Sequence, residues 1–217
     1  TVTATDITEC EESPIQTLTA TANVPAGETV VWYDAAVDGA VVTDPSLSAV
    51  GTVTYYAQAG NASNCSSLTR TAVTLTITPA PLAPTVTTNN ITQCERSPLQ
   101  TITATANVPA GQTVVWYDAE VDGAIVTDPS LNALGTVTYY AQAGNAANCA
   151  SLTRTAVTLT ITPAPLAPTV TTNSITECEE SPIQTLTATA NVPVGETVVW
   201  YDAAENGAIV TNPSLSA

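Results

Sequence analysis

Apolar and polar residues alternate along most of this chain, and helical periodicity is absent. From Gln16 to Val24, Leu18, Ala20, Ala22 and Val24 share one face, while Thr17, Thr19 and Thr21 share the other. From Arg70 to Thr78, Val73, Leu75 and Ile77 face one way, and Thr74 and Thr76 face the other. A period of two with threonine on the outer face predicts half-buried strands with one solvated side. Threonine suits that side because its β-branch fits the pleat and its hydroxyl suits water. Further strands are predicted at Thr29 to Asp34 with Trp32, at Gly51 to Ala59 with Tyr55 and Tyr56, and over the short stretch Gly39 to Thr43. Thr1 to Cys10 is expected to add an edge strand. Turn residues separate these segments: Pro25-Ala26-Gly27, Asp38-Gly39, Asp44-Pro45-Ser46 and Gly60-Asn61-Ala62. Six or seven short strands, separated by turns at close and regular intervals, predict an all-β, two-sheet antiparallel sandwich centred on Trp32.

The same pattern returns with a fixed period. Cys10, Cys94 and Cys178 are 84 apart, as are Cys65 and Cys149, and VVWYDA begins at Val30, Val114 and Val198. The first two repeats differ at 14 of 84 positions. Trp116 and Trp200 are thus the core counterparts of Trp32. A period of this length is too long for a solenoid turn and is the size of a small β-domain. The expected organisation is repeat 1 over 1–78, a linker over 79–84, repeat 2 over 85–162, a linker over 163–168 and repeat 3 over 169–217. Each linker reads Pro-Ala-Pro-Leu-Ala-Pro, whose prolines favour a semi-rigid extended spacer. In repeat 3, Ala217 aligns with Ala49, so no counterpart of Gly51 to Ile77 is present. The expectation is a window cut from a longer repetitive protein or, more rarely, strands donated by another chain.

Charge narrows the partners. There are 19 acidic residues against three arginines, with no lysine and no histidine, for a net charge of −16. Nucleic acid and anionic membranes both call for clusters of Lys and Arg, so neither is an expected partner. Disorder is not expected either, because 44% of the residues are hydrophobic and fall in regular strand patterns.

The cysteines point to an oxidising compartment. One pair per repeat, always at the same spacing, predicts the disulfides Cys10–Cys65 and Cys94–Cys149 and leaves Cys178 unpaired, its counterpart falling at position 233. Two cysteines per repeat without histidine fall short of a zinc site, and no CxxC motif suggests redox catalysis.

Candidate chemistry is sparse. Without histidine there is no Ser-His-Asp or Cys-His arrangement, and without lysine no Schiff base or phosphate loop. No catalytic residue and no cofactor is expected. Asp34, Asp38 and Asp44 cluster around turns, where oxygen ligands suit Ca²⁺. Their spacing matches no EF-hand, and repeat 3 carries Asn206 and Asn212 at two of these positions. Solvated turn acids are the preferred reading and calcium is the alternative. Tyr33 and Tyr56 fall on the outer face by parity. Packing against threonine neighbours is preferred there over stacking on a surface glycan. Arg70 and Arg154 are expected to pair with a nearby carboxylate.

Taken in order, Cys10, LTATA, VVWYDA, Asp38-Gly39, DPSLSA, TVTYYAQAGN, Cys65 and LTRTAVTLTIT resemble the Ig-like repeats of large surface and secreted proteins of Bacteroidetes. Such repeats are common in gliding-associated adhesins and in proteins of the type IX secretion pathway. The resemblance spans all three repeats. It implies an Ig-like sandwich, an extracellular or cell-surface location, and a stalk, adhesin or filament role without catalytic residues. The expected partners are other repeats of the same protein, by self-assembly into a fibre. The alternatives are a multivalent glycan-binding module and a spacer within a secreted enzyme.

Overall fold

The computed structural model describes residues 2–178, 182 and 184–216. Thr1 and Ala217, at the outer limits of the first and third repeats, lie outside the described residues, as do Glu179, Glu180, Ser181 and Ile183. The chain forms two compact units. One comprises Thr1–Gln93 with Ser97–Thr162, and the other comprises Cys94–Arg96 with Pro163–Ala217.

Repeat 1 contains β1 (Thr3–Ala4), β2 (Ile7–Cys10), β3 (Leu18–Thr19), β4 (Ala22–Asn23), β5 (Glu28–Tyr33), β6 (Val41–Val42), β7 (Ser46–Leu47), β8 (Gly51–Asn61) and β9 (Thr71–Thr78). The five-stranded sheet runs in the order β2-β9-β8-β5-β6, and the pairs β1-β4 and β3-β7 lie against it. The chain is all-β and Ig-like, and its layers are a sandwich.

The alternation read from sequence has its physical counterpart in the β8–β9 ladder. Val73, Leu75 and Ile77 of β9 are fully buried and pack with Leu18 and Ala20. On the opposite face Thr52 meets Thr76, and Thr54 meets Thr74, each with 3.1 Å between hydroxyl oxygens. Cross-strand threonine pairs of this kind stabilise the solvated side of a sheet. Trp32 is half-buried and not the centre of the core. It sits where the cluster around Leu75 meets a second cluster built on Val2, Ala57 and Ala59. The centre belongs to β9 because that strand is flanked on both sides in its sheet and covered by β3 and β7.

Two segments expected to be single strands are each divided. The opening stretch pairs first with β4 through β1, then runs parallel to β9 through β2, with Ile7 opposite Leu75 and Cys10 opposite Thr78. At the crossover the Asp6 carboxylate accepts a hydrogen bond from Thr74 N at 2.8 Å. This parallel edge departs from the purely antiparallel arrangement read from sequence. The segment Gln16–Val24 likewise splits, with β3 pairing to β7 and β4 to β1. An alternating pattern sets which face a residue takes. It does not say which neighbour the backbone bonds, so one apolar stripe can serve two partners.

Repeat 2 contains β10 (Asn90–Cys94), β11 (Ile102–Thr103), β12 (Thr113–Tyr117), β13 (Ile125–Val126), β14 (Ser130–Leu131), β15 (Gly135–Gly144) and β16 (Thr155–Thr162). Its sheet order β10-β16-β15-β12-β13 repeats that of the first domain, and β11-β14 forms the opposing pair. Ile102, Ala104, Val157, Leu159 and Ile161 make its core, with Trp116 packed alongside.

Repeat 3 contains β17 (Thr185–Thr187), β18 (Trp200–Tyr201), β19 (Ile209–Val210) and β20 (Ser214–Ser216), which form two separate pairs, β17-β20 and β18-β19. In repeat 1, β5 extends over six residues because β8 bonds along its whole length. The corresponding β18 is two residues long and, among the described residues, pairs with β19 alone. A cavity of about 560 Å³ opens where the core would lie, lined by Ile175, Leu186, Ala188, Trp200, Val210 and Leu215 among others.

Candidate functional site

The most distinctive constellation is the junction between repeats 1 and 2. β2 ends at Cys10, level with Thr78, where β9 enters the linker. Two hydrogen bonds fix this trailing end. Glu11 N donates to Thr78 O at 2.8 Å, and the Glu11 carboxylate accepts from Ala80 N at 3.1 Å. The side-chain amide of Gln16 donates to Cys10 O, and its carbonyl accepts from Glu12 N.

The leading end of repeat 2 meets the far side of the linker. Thr155, at the start of β16, donates its hydroxyl to Pro84 O at 2.6 Å. Just before it lies the loop 145–151. There the Asn145 side chain accepts from Ala147 N at 3.0 Å and from Cys149 N at 2.9 Å. Asn148 takes the left-handed conformation, with φ of 60°. This turn holds Cys149 out towards repeat 1, where it forms a disulfide with Cys10 at a Cα–Cα distance of 5.3 Å.

The disulfide therefore joins successive repeats, contrary to the expected Cys10–Cys65 and Cys94–Cys149 pairing within each repeat. Strand length gives the reason. Cys10 lies beside the end of β9 and Cys65 near its beginning, beyond the Gly60–Ser66 bridge. The eight residues of β9 separate these ends by roughly 23 Å. A disulfide tolerates no more than about 7 Å between Cα atoms. The same argument applies to Cys94, at the end of β10, and Cys149, before β16. The constant spacing from Cys10 to Cys65 and from Cys94 to Cys149 is a true periodicity, but the bonded cysteines stand 139 apart, one period longer. Cys65 and Cys178 are exposed thiols.

The remaining candidate residues serve the fold. Asp34 accepts Ala40 N at 2.7 Å through its carboxylate, closing the turn at Asp38-Gly39, and Asp118 and Asp202 repeat this with Ala124 and Ala208. Asp38 occupies the left-handed region with φ of 54°. Among the described residues no three His, Cys, Asp or Glu side chains gather as a metal site, so Asp34, Asp38 and Asp44 are not brought together as one.

Arg70 corrects another expectation. Its guanidinium lies 3.3 Å from the ring centroid of Tyr33, donates to Ala35 O at 2.6 Å and bonds the Gln58 side chain at 3.4 Å. Arg154 repeats the contact over Tyr117 at 3.5 Å. An aromatic face and a backbone carbonyl replace the expected carboxylate. The aromatic partner comes from β5 and the carbonyl from the turn after it, which sequence distance does not reveal. Tyr55 and Tyr139, on the inward side, donate their hydroxyls to Ser46 O and Ser130 O at 2.8 Å.

Two tandem segments, residues 1–79 and 81–163, match the family described as "Ig-like domain CHU_C associated". The chain belongs to this family. Its domains are typical of extracellular proteins and are typically non-catalytic, and a disulfide is present. No curated protein matches the chain in sequence. Similar solved structures include fibronectin(III)-like modules of CbhA from Clostridium thermocellum, at 17% identity and a TM-score of 0.38, covering 76% of this chain and 95% of that one. They also include the I-band fragment I67–I69 of titin, at 10% identity and a TM-score of 0.41, covering 95% of this chain and 79% of that one. These values leave function to be argued from the chain itself. The tandem Ig-like arrangement suggests a structural or spacer role.

Proposed function

We propose that this chain is a structural stalk or filament segment of an extracellular bacterial surface adhesin, in which covalently joined Ig-like repeats hold a binding element away from the cell or assemble into a fibre. The observation that carries this reading is the Cys10–Cys149 disulfide across the junction of repeats 1 and 2. A bond within a domain would stabilise that domain alone. A bond between domains, working beside a proline-rich linker, restrains their relative motion and lets tension bypass the linker. The net charge of −16 adds solubility and repulsion between neighbouring arrays.

A glycan-binding role for the tyrosines is less well supported. Tyr33 and Tyr117 each commit one ring face to an arginine.

The test is electron microscopy of the native material with and without a reductant. Extended particles with regular bead spacing, becoming bent at their junctions on reduction, support a stalk. Particles whose bead-to-bead geometry is the same in both conditions would remove the mechanical role of the disulfide.

A further inference from the structure

The leading end of repeat 1 is built like that of repeat 2 but lies open. In repeat 1 the Asn61 side chain accepts from Ser63 N and Cys65 N, both at 3.0 Å, as Asn145 does in repeat 2. Asn64 and Asn148 have φ of 57° and 60°. Ser67 accepts from Ala59 N and donates to Thr69 O, and Ser151 does the same with Ala143 and Thr153. The loops are alike, yet their surroundings differ. Cys149 and Ser151 are each 1% exposed, whereas Cys65 is exposed and Ser67 half-buried. Leu68 is 102% exposed and its counterpart Leu152 45%. With local geometry held constant, the cover on repeat 2 comes from the neighbour whose Cys10 it bonds.

The other half of such a junction also recurs. Gln184 donates to Cys178 O at 2.7 Å, the same clasp that Gln16 places on Cys10 O. Repeats 1 and 2 thus each have a cysteine for either end, and repeat 3 has the trailing one, Cys178.

We propose that the leading end of repeat 1, formed by Cys65, Ser67 and Leu68, is a docking face for the trailing end of another unit of this same repeat, closed by a disulfide from Cys65 to the cysteine at that unit's Cys10 position. The partner is argued from the junction already present in the molecule, where a loop of the same geometry is covered and bonded in this way. The contact is head-to-tail, joining two different faces, so the same contact can recur from unit to unit. In the bond-forming step, the two thiols lose two protons and two electrons as one S–S bond forms. A small-molecule disulfide such as oxidised glutathione takes up those electrons and yields two thiols by exchange.

The inference rests on the tandem-array reading and extends it. To test it, a further copy of residues 1–84 is placed ahead of the complete chain. The protein is refolded with a glutathione redox couple, alkylated, and mapped as peptides without reduction. The expected result is two bonds, Cys10–Cys149 and one from Cys65 to the Cys10 counterpart of the added unit, with Cys65 alkylation falling from complete to trace. In a variant whose added unit has serine at that position, Cys65 should still be alkylated more slowly than in the original chain, because docking alone covers it. Cys65 fully reactive beside an intact Cys10–Cys149 bond overturns the inference and leaves the array reading standing. Loss of Cys10–Cys149 as well overturns both. In the original chain alone, oligomers linked through Cys65 and Cys178 would assign the face to a second copy.

Discussion

Arg70 sits over Tyr33, its guanidinium carbon 3.3 Å from the ring centroid, while one of its nitrogens bonds Ala35 O at 2.6 Å. One side chain just ahead of β9 thereby ties down β5 and the turn that follows it. Arg70→Ala should destabilise repeat 1 by about 1–3 kcal/mol, combining a cation–π contact with hydrogen bonds from a charged donor. Arg70→Lys should recover little of this, because an ammonium cannot stack and bond in one plane. Urea unfolding of the single variants and of Arg70→Ala with Tyr33→Ala provides the check. Strictly additive effects would mean that the two residues are not coupled.

The disulfide assignment makes a contrast between two cysteines. In the chain-entropy model, closing a separation of 139 residues contributes about 5 kcal/mol, shared between two domains. Cys149→Ser should lower the unfolding midpoints of repeats 1 and 2 and speed proteolysis of the linker 79–84. Cys65→Ser should leave both unchanged. If Cys65→Ser is the damaging variant, pairing within the repeat is correct instead.

Gly39 is required by a close approach. A Cβ placed there would fall 2.6 Å from Ala35 N and 2.7 Å from an Asp34 carboxylate oxygen, and Gly123 and Gly207 meet the same obstruction. The carboxylate oxygen is already committed to Ala40 N, and the other obstruction is backbone. Gly39→Ala should therefore destabilise repeat 1 by about 1–3 kcal/mol, in the range of strain from overpacking. Asp34→Ala should cost about 1 kcal/mol through the lost bond to Ala40 N. Thermal unfolding of the two variants checks the order, and a neutral Gly39→Ala would show that the turn can open freely.

Much of this architecture was legible because it depends on local pattern. The threonine face of β8 and β9, the apolar face of Leu75 and Ile77 and the turn at Asp38-Gly39 all follow from parity and turn chemistry. What sequence concealed were relations between distant segments. Nothing in the alternation of Thr1–Cys10 indicates that its second half runs parallel to β9, and that parallel course carries Cys10 away from Cys65. Since repeats 1 and 2 both carry the two cysteines, pairing within one repeat and pairing between neighbours leave the same spacing. Arg70 escaped for a related reason. Its partner ring is 37 positions earlier in sequence, and acidity made a carboxylate the default expectation.

Repeat 3 gives the last test, because residues equivalent to the core of repeat 1 line a cavity there. Leu18 and Ala20 of repeat 1 pack on Val73, Leu75 and Ile77, whereas their counterparts Leu186 and Ala188 line an open space of about 560 Å³. Leu215 is 68% exposed. Extending the chain after Ala217 with the sequence of Val50–Thr78 should supply counterparts of β8 and β9. Burying one valine, one leucine and one isoleucine in that space would contribute about 5–9 kcal/mol before conformational entropy is subtracted. Hydrogen exchange at Val198–Tyr201 should slow as β18 lengthens to match β5, and a cooperative unfolding transition should appear for repeat 3. Replacing the leucine counterpart of Leu75 in the added segment with aspartate should abolish both effects. If exchange is the same with and without the extension, the cavity is not an acceptor for these strands, and the parallel with repeat 1 fails at its core.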